Sequence, residues 1–168
     1  MRPPGTRPGL LEAGEAVGKH VQIASKYGTI RLMRSAFWKA VAAYLLPTFP
    51  LGFFWHLTIF KDRYDQLAMY RDEVIIPMGL ASMAIQAVTY AWLYPRLVPA
   101  LSAWRAGALR FFLVAGSLAF SYSVLPVAAK YRMTSIGDFV MLETAFTAIQ
   151  FAIVSPLVAL AYAGRPAS

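Results

Sequence analysis

Two ionisable side chains fall inside apolar stretches of this sequence: His56, within residues 45–60, and Glu143, within residues 139–163. An imidazole and a carboxylate at one depth can share a proton, relay it or hold a cation. Burying either in hydrocarbon is costly, so such groups are paired or used. His56 stands four residues before the end of its stretch, and Glu143 five residues after Asp138. At about 1.5 Å of helical rise per residue, both lie roughly 6–8 Å below the same membrane surface. They are the candidates for a proton or ligand pathway. The plainer roles are a hydrogen bond that locks two helices, or two side chains each reaching interfacial water.

Gln86 and Gln150 come next. On the same rise they lie about 18–20 Å from that surface, near mid-bilayer, where two amides can bond each other across helices. Gln86 shares one helix face with Gly79, Ser82 and Met83, a small and polar stripe suited to helix packing. Trp55, with Phe53, Phe54 and Tyr122, can be read as a pocket for a ring such as a quinone, or simply as interfacial anchors. The sequence has no cysteine, which excludes disulfides, thiolate metal sites and cysteine nucleophiles. The second histidine, His20, lies in a basic segment far from the first, so a haem held by two histidines is not expected. Neither a Gly-rich phosphate loop, a serine nucleophile constellation nor a two-histidine-plus-carboxylate metal set is present. No cofactor is expected, and these absences lower the case for an enzyme.

The elements that must position these residues are four apolar runs, at residues 40–60, 74–94, 111–129 and 139–163. Each is close to the roughly 20 residues that a helix needs to cross a bilayer core. Only 14% of the 168 residues are charged and 58% are hydrophobic, against about 25% charged in an ordinary soluble domain. The expected fold is all-α: an integral membrane protein with four transmembrane helices in a bundle of two antiparallel hairpins. Pro47 and Pro50 predict a kink or an opened turn in the first span. Lys61–Glu73 reads as a charged loop, and Pro95 and Pro99 as the end of the second span. Ala84-Ile85-Gln86 recurs as Ala148-Ile149-Gln150, which hints at a duplicated hairpin.

The net charge of +8 is unevenly placed. Arg2, Arg7, Lys19, Lys26, Arg31, Arg34 and Lys39 precede the first span, and Arg96, Arg105, Arg110 and Arg165 fall on the same side. The positive-inside rule puts both termini in the cytoplasm, and a bacterial inner membrane suits the composition. The basic charge therefore reads as topology and contact with anionic lipid, not nucleic-acid binding. Residues 1–36 are expected to be a cytoplasmic basic segment, unstructured at first and then an interfacial helix. Residues 37–164 form the membrane domain, and 165–168 a cytoplasmic tail. No removable signal peptide is expected, the first span serving as insertion signal.

Gly52-Phe53-Phe54-Trp55-His56-Leu57-Thr58-Ile59-Phe60, then a short charged loop and a span with a polar centre, resembles the small four-span bacterial membrane proteins of the DUF1761 type. The resemblance covers about residues 40–94, with His56 where that family tends to have tyrosine. It implies a four-span architecture and no particular activity. The four spans are also similar in number to those of small multidrug transporters. Those carry an essential carboxylate in their first span, and this first span has no acid. The leading expectation is an accessory or structural component of a membrane assembly, either a homo-oligomer or part of a larger complex. The alternative is a small proton-coupled transporter acting as a homo-oligomer, with His56 and Glu143 in the pathway. A third reading is an enzyme subunit acting on a lipid or quinone.

Overall fold

The computed structural model describes the backbone of residues 8–71, 73–99 and 102–163, with side chains from Leu32 onward within those ranges. Among the described residues six α-helices follow one another: α1 (Pro8–Phe54), α2 (Lys61–Gln66), α3 (Ile76–Leu97), α4 (Trp104–Ser123), α5 (Leu125–Lys130) and α6 (Ile136–Ala161). A π-helical turn, Trp55–Ile59, continues α1. There is no strand among the described residues. Four segments among the described residues are long and apolar enough to cross a membrane: Leu32–Ile59, Ile76–Leu97, Trp104–Lys130 and Ile136–Ala161. The protein is all-α, with four candidate membrane spans.

Contacts divide the chain into residues 1–35 and 36–168. The first unit is helical from Pro8, which replaces the expected lack of structure over residues 8–13. Proline suits a first helical turn, whose N–H groups have no partner in any case. Residues 1–7 and 164–168, and the side chains of most of the basic segment, lie outside the described residues.

Within residues 36–168 the buried positions of α1 recur every fourth residue: Ala36, Ala40, Tyr44, Thr48 and Gly52. Residues four apart share a helix face, so this small and polar stripe turns inward. Leu46, Phe53 and Phe54 stay exposed, as lipid-facing residues do. Helix α4 packs along α6. Two apolar clusters result. One gathers Tyr44, Tyr90, Tyr94, Phe111, Phe151 and Val158. The other lies at the end of the bundle that carries α2 and gathers Trp55, Tyr64, Leu67, Val124, Phe139 and Leu142.

The α-helix runs through Pro47 and Pro50, and the ladder widens only beyond them, where Phe60 N–H donates to Trp55 O, five residues back, at 3.1 Å. Pro95 does not end α3, which continues to Leu97. A proline at 95 has no N–H for the carbonyl of Ala91. The hydroxyl of Tyr162 fills that place, donating to Ala91 O at 2.7 Å. Pro126 breaks the third span slightly, at Val124 between α4 and α5. The third span starts at Trp104, and so takes in Arg105 and Arg110, which lie before the apolar run at 111–129. Arg110 Nη1 donates to Leu97 O at 3.2 Å and so caps the last turn of α3. The fourth begins at Ile136 behind an N-cap, Ser135, whose hydroxyl accepts from Asp138 N at 3.2 Å.

The segment expected as a charged loop folds its first half into α2, with Lys61 donating to Asp65 on the exposed side. That contact holds Lys61 above its usual ammonium range, through the hydrogen bond first and the charge second. After α2, Ala68 takes a left-handed backbone (φ 54°), a conformation that costs a non-glycine residue roughly 1–2 kcal/mol. Thr134 then ties the two hairpin connections together: its N–H donates to Leu67 O (3.2 Å) and its hydroxyl to Gln66 O (2.7 Å).

Candidate functional site

The π turn sets the site. In it, His56 turns its ring so that Nδ1 lies 2.9 Å from Gly52 O, one turn back. A carbonyl oxygen only accepts, so Nδ1 carries a hydrogen. Nε2 then lies 3.1 Å from Glu143 Oε1 on α6. Either Nε2 is protonated and Glu143 is a carboxylate, or Nε2 accepts from a protonated carboxyl. In both cases the His56–Glu143 link holds one proton. The two side chains are 20% and 15% exposed. Facing the same oxygen is Tyr64 of α2, whose hydroxyl donates to Glu143 Oε1 at 2.7 Å.

Tyr64 is wholly buried, and its ring stacks on Tyr70 at 5.0 Å and 4°. Burial first, and the charge of Glu143 second, pushes the Tyr64 phenol far above its ordinary range. Tyr70 is raised by the same two causes in the same order. Both therefore remain neutral, and Tyr64 stays a donor. Tyr64 is not among the residues singled out in the sequence, where it falls in a segment expected as a charged loop. Its signal is the spacing Phe60, Tyr64, Leu67, a helical stripe in a segment read as a loop.

Two cavities meet at this pair. The larger, about 540 Å³, lies between the last turns of α1 and the first turns of α3; His56 lines it, with Phe49, Phe53, Met78 and Leu80, and Arg71 stands at the same wall. The smaller, about 210 Å³, lies between the two apolar clusters; Glu143 lines it, with Thr48, Ser82, Gln86, Thr147 and Gln150. Gly79 and Met83 belong to both walls. Met83 Cε lies 3.1 Å from where a Cβ on Gly52 would stand, so the partition is tight at that point.

Deeper in the bundle the two glutamines do not bond each other. A tyrosine joins them: Gln150 Nε2 donates to Tyr44 Oη (2.9 Å), and Tyr44 donates to Gln86 Oε1 (2.7 Å). Gln86 Nε2 goes on to Ser82 Oγ at 3.2 Å, and Thr48 Oγ1 lies 3.5 Å from Gln150 Nε2. Tyr44 and Thr48 were not singled out in the sequence, although with Gly52 and His56 they form a run at intervals of four.

The remaining candidates separate. Trp55 is buried against Phe60 and Phe146, Phe54 is exposed, Phe53 lines the larger cavity, and Tyr122 lines the smaller. The four make no common ring pocket. Tyr122 instead meets Tyr90, hydroxyl to hydroxyl, at 2.9 Å. Gly79 is exposed, and among the described residues no atom lies within 4 Å of where its Cβ would stand. Among the described residues no group of three or more His, Cys, Asp or Glu is placed to hold a metal ion.

Neither a family model, nor a curated protein, nor a solved structure matches this chain. Function is therefore argued from the geometry of the site.

Proposed function

We propose that this chain is a small proton-coupled carrier that works as a homo-oligomer, with the His56–Glu143 link as its protonatable element. One observation carries the reading: the link stands between an apolar cavity that His56 lines and a polar chamber that Glu143 lines. Ionisable pairs at membrane depth mark proton and ion pathways. Moving the shared proton changes the charge facing the chamber, and so couples proton and solute.

The test is solute uptake into vesicles reconstituted with the full chain, under an imposed pH gradient, over a panel of small amines, carboxylates and neutral polar solutes. Uptake of one class that responds to the gradient and is abolished by Glu143→Gln supports the carrier. No gradient-dependent uptake, or uptake untouched by the substitution, contradicts it.

The accessory reading has one observation in its favour. Gly79 of α3 is exposed, and no described atom lies within 4 Å of where its Cβ would stand, which leaves room there for another helix. Native mass spectrometry of gently extracted protein separates the two: defined foreign subunits favour the accessory role, and a homo-oligomer favours the carrier.

A further inference from the structure

We infer that the polar chamber binds a small organic ammonium ion, the cation displacing the proton of the His56–Glu143 link. The inference rests on the carrier reading and names its substrate class. It begins from the two oxygens of Glu143. Oε1 makes both contacts, accepting from Tyr64 Oη and lying 3.1 Å from His56 Nε2. Oε2 makes no hydrogen bond among the described residues, and the carboxyl group belongs to the chamber wall. No lysine, arginine or histidine lines that wall, so its one strong charge is negative.

Charge balance then fixes the exchange. With its proton, the link is neutral overall, either as an imidazolium with a carboxylate or as imidazole with a carboxylic acid. When the proton leaves, imidazole and carboxylate remain with net charge −1. A monocation bound at Oε2 restores neutrality, one cation for one proton, and no other reactant is needed. The proton departs by way of the imidazole, which lines the other cavity.

Size and lining choose between an inorganic and an organic cation. The chamber's 210 Å³ is many times the ~10–15 Å³ that seats one water, yet below the roughly 300 Å³ at which drug-sized sites begin. A bare ion leaves most of that space unused. Beside its hydroxyl and amide groups the wall has Met83, Ala119 and Phe146. An alkylammonium meets both kinds of surface, its N–H groups toward Glu143 and Thr147 and its carbons toward the apolar wall.

The experiment is calorimetric titration of the full chain in phosphatidylcholine nanodiscs with propylammonium chloride. Sodium chloride and propan-1-ol are run in parallel, and released protons are counted in a weakly buffered solution. Saturable binding of propylammonium with about one proton released, at least ~10-fold weaker in Glu143→Gln and absent for propan-1-ol, is expected. Thr147→Val, which removes a chamber hydroxyl that makes no bond within the described residues, is expected to weaken binding ~3-fold or more. That variant decides the matter if Glu143→Gln does not fold.

Equal binding of propan-1-ol, sodium competing at equal concentration, or affinity unchanged in both variants overturns the inference. If propylammonium does not bind while vesicles still show Glu143-dependent uptake of another solute, the ligand class falls and the carrier reading stands. If both fail, both fall.

Discussion

Tyr162 donates its hydroxyl to the main-chain carbonyl of Ala91 at 2.7 Å, the carbonyl that Pro95 deprives of its helical partner. Inside hydrocarbon no water replaces a lost donor. Tyr162→Phe is therefore expected to destabilise the protein by roughly 1–3 kcal/mol, the cost of a buried unsatisfied acceptor. The Pro95→Ala change in that background should recover most of the loss, because alanine at that position supplies the missing N–H. Equilibrium unfolding of the single and double variants in detergent micelles checks the coupling, and additive effects would contradict it.

Tyr44 joins Gln86 and Gln150 through one hydroxyl. Tyr44→Phe is expected to cost about 1–2 kcal/mol, because it removes two interhelical bonds, each worth about 0.6 kcal/mol on average and ~1.7 at most in a membrane. After Tyr44→Phe, Gln150→Leu should cost less than it does in the wild type. A double-mutant cycle read by thermal unfolding measures this, and equal costs in both backgrounds would argue against the bridge.

Two glycines offer an internal contrast. A Cβ at Gly107 would collide with Tyr94 Oη and stand 3.0 Å from Val98, whereas one at Gly79 meets nothing within 4 Å. Gly107→Ala should destabilise by about 1–3 kcal/mol through overpacking. Gly79→Ala should leave the monomer's stability unchanged or raise it by up to ~1 kcal/mol, alanine being the better helix former, and a larger residue there should narrow the two cavities whose walls Gly79 shares. Unfolding midpoints and native mass spectra of the two variants separate these effects.

Alkaline stability follows from Tyr64 and Tyr70, both raised by burial and by Glu143. The folded protein keeps protons that the unfolded chain loses near pH 10, the usual tyrosine range. Stability is thus fully present below about pH 10 and falls as pH rises beyond it. The phenolate absorbance of these two tyrosines should appear only with unfolding, and Tyr64→Phe should flatten the alkaline fall. A normal phenolate titration of Tyr64 in the folded state would contradict its burial.

Much of the architecture was legible. The four apolar runs and helical rise alone put His56 and Glu143 at one depth, and their charges made them suspects. Their meeting was not legible, because depth says nothing of which helix faces turn toward each other; the π turn after Phe54 sets the direction of His56. Tyr64 hid because a tyrosine near a bilayer surface suits the headgroups equally well. The effect of Pro95 was misread because its remedy, Tyr162, lies far along the chain. Tyr44 was overlooked as one more aromatic in an apolar run, though its interval of four from Thr48 was there to read.

A proton-coupled carrier requires that the His56–Glu143 link exchange its proton. Infrared difference spectroscopy of the full chain in lipid, taken between an acid and an alkaline buffer, reads this directly. The expected result is loss of one carboxyl or imidazolium band on raising the pH, absent from Glu143→Gln and altered in His56→Gln. A wild-type spectrum in which neither substitution removes a band would mean that the link never releases its proton. His56 and Glu143 would then be a helix lock and nothing more.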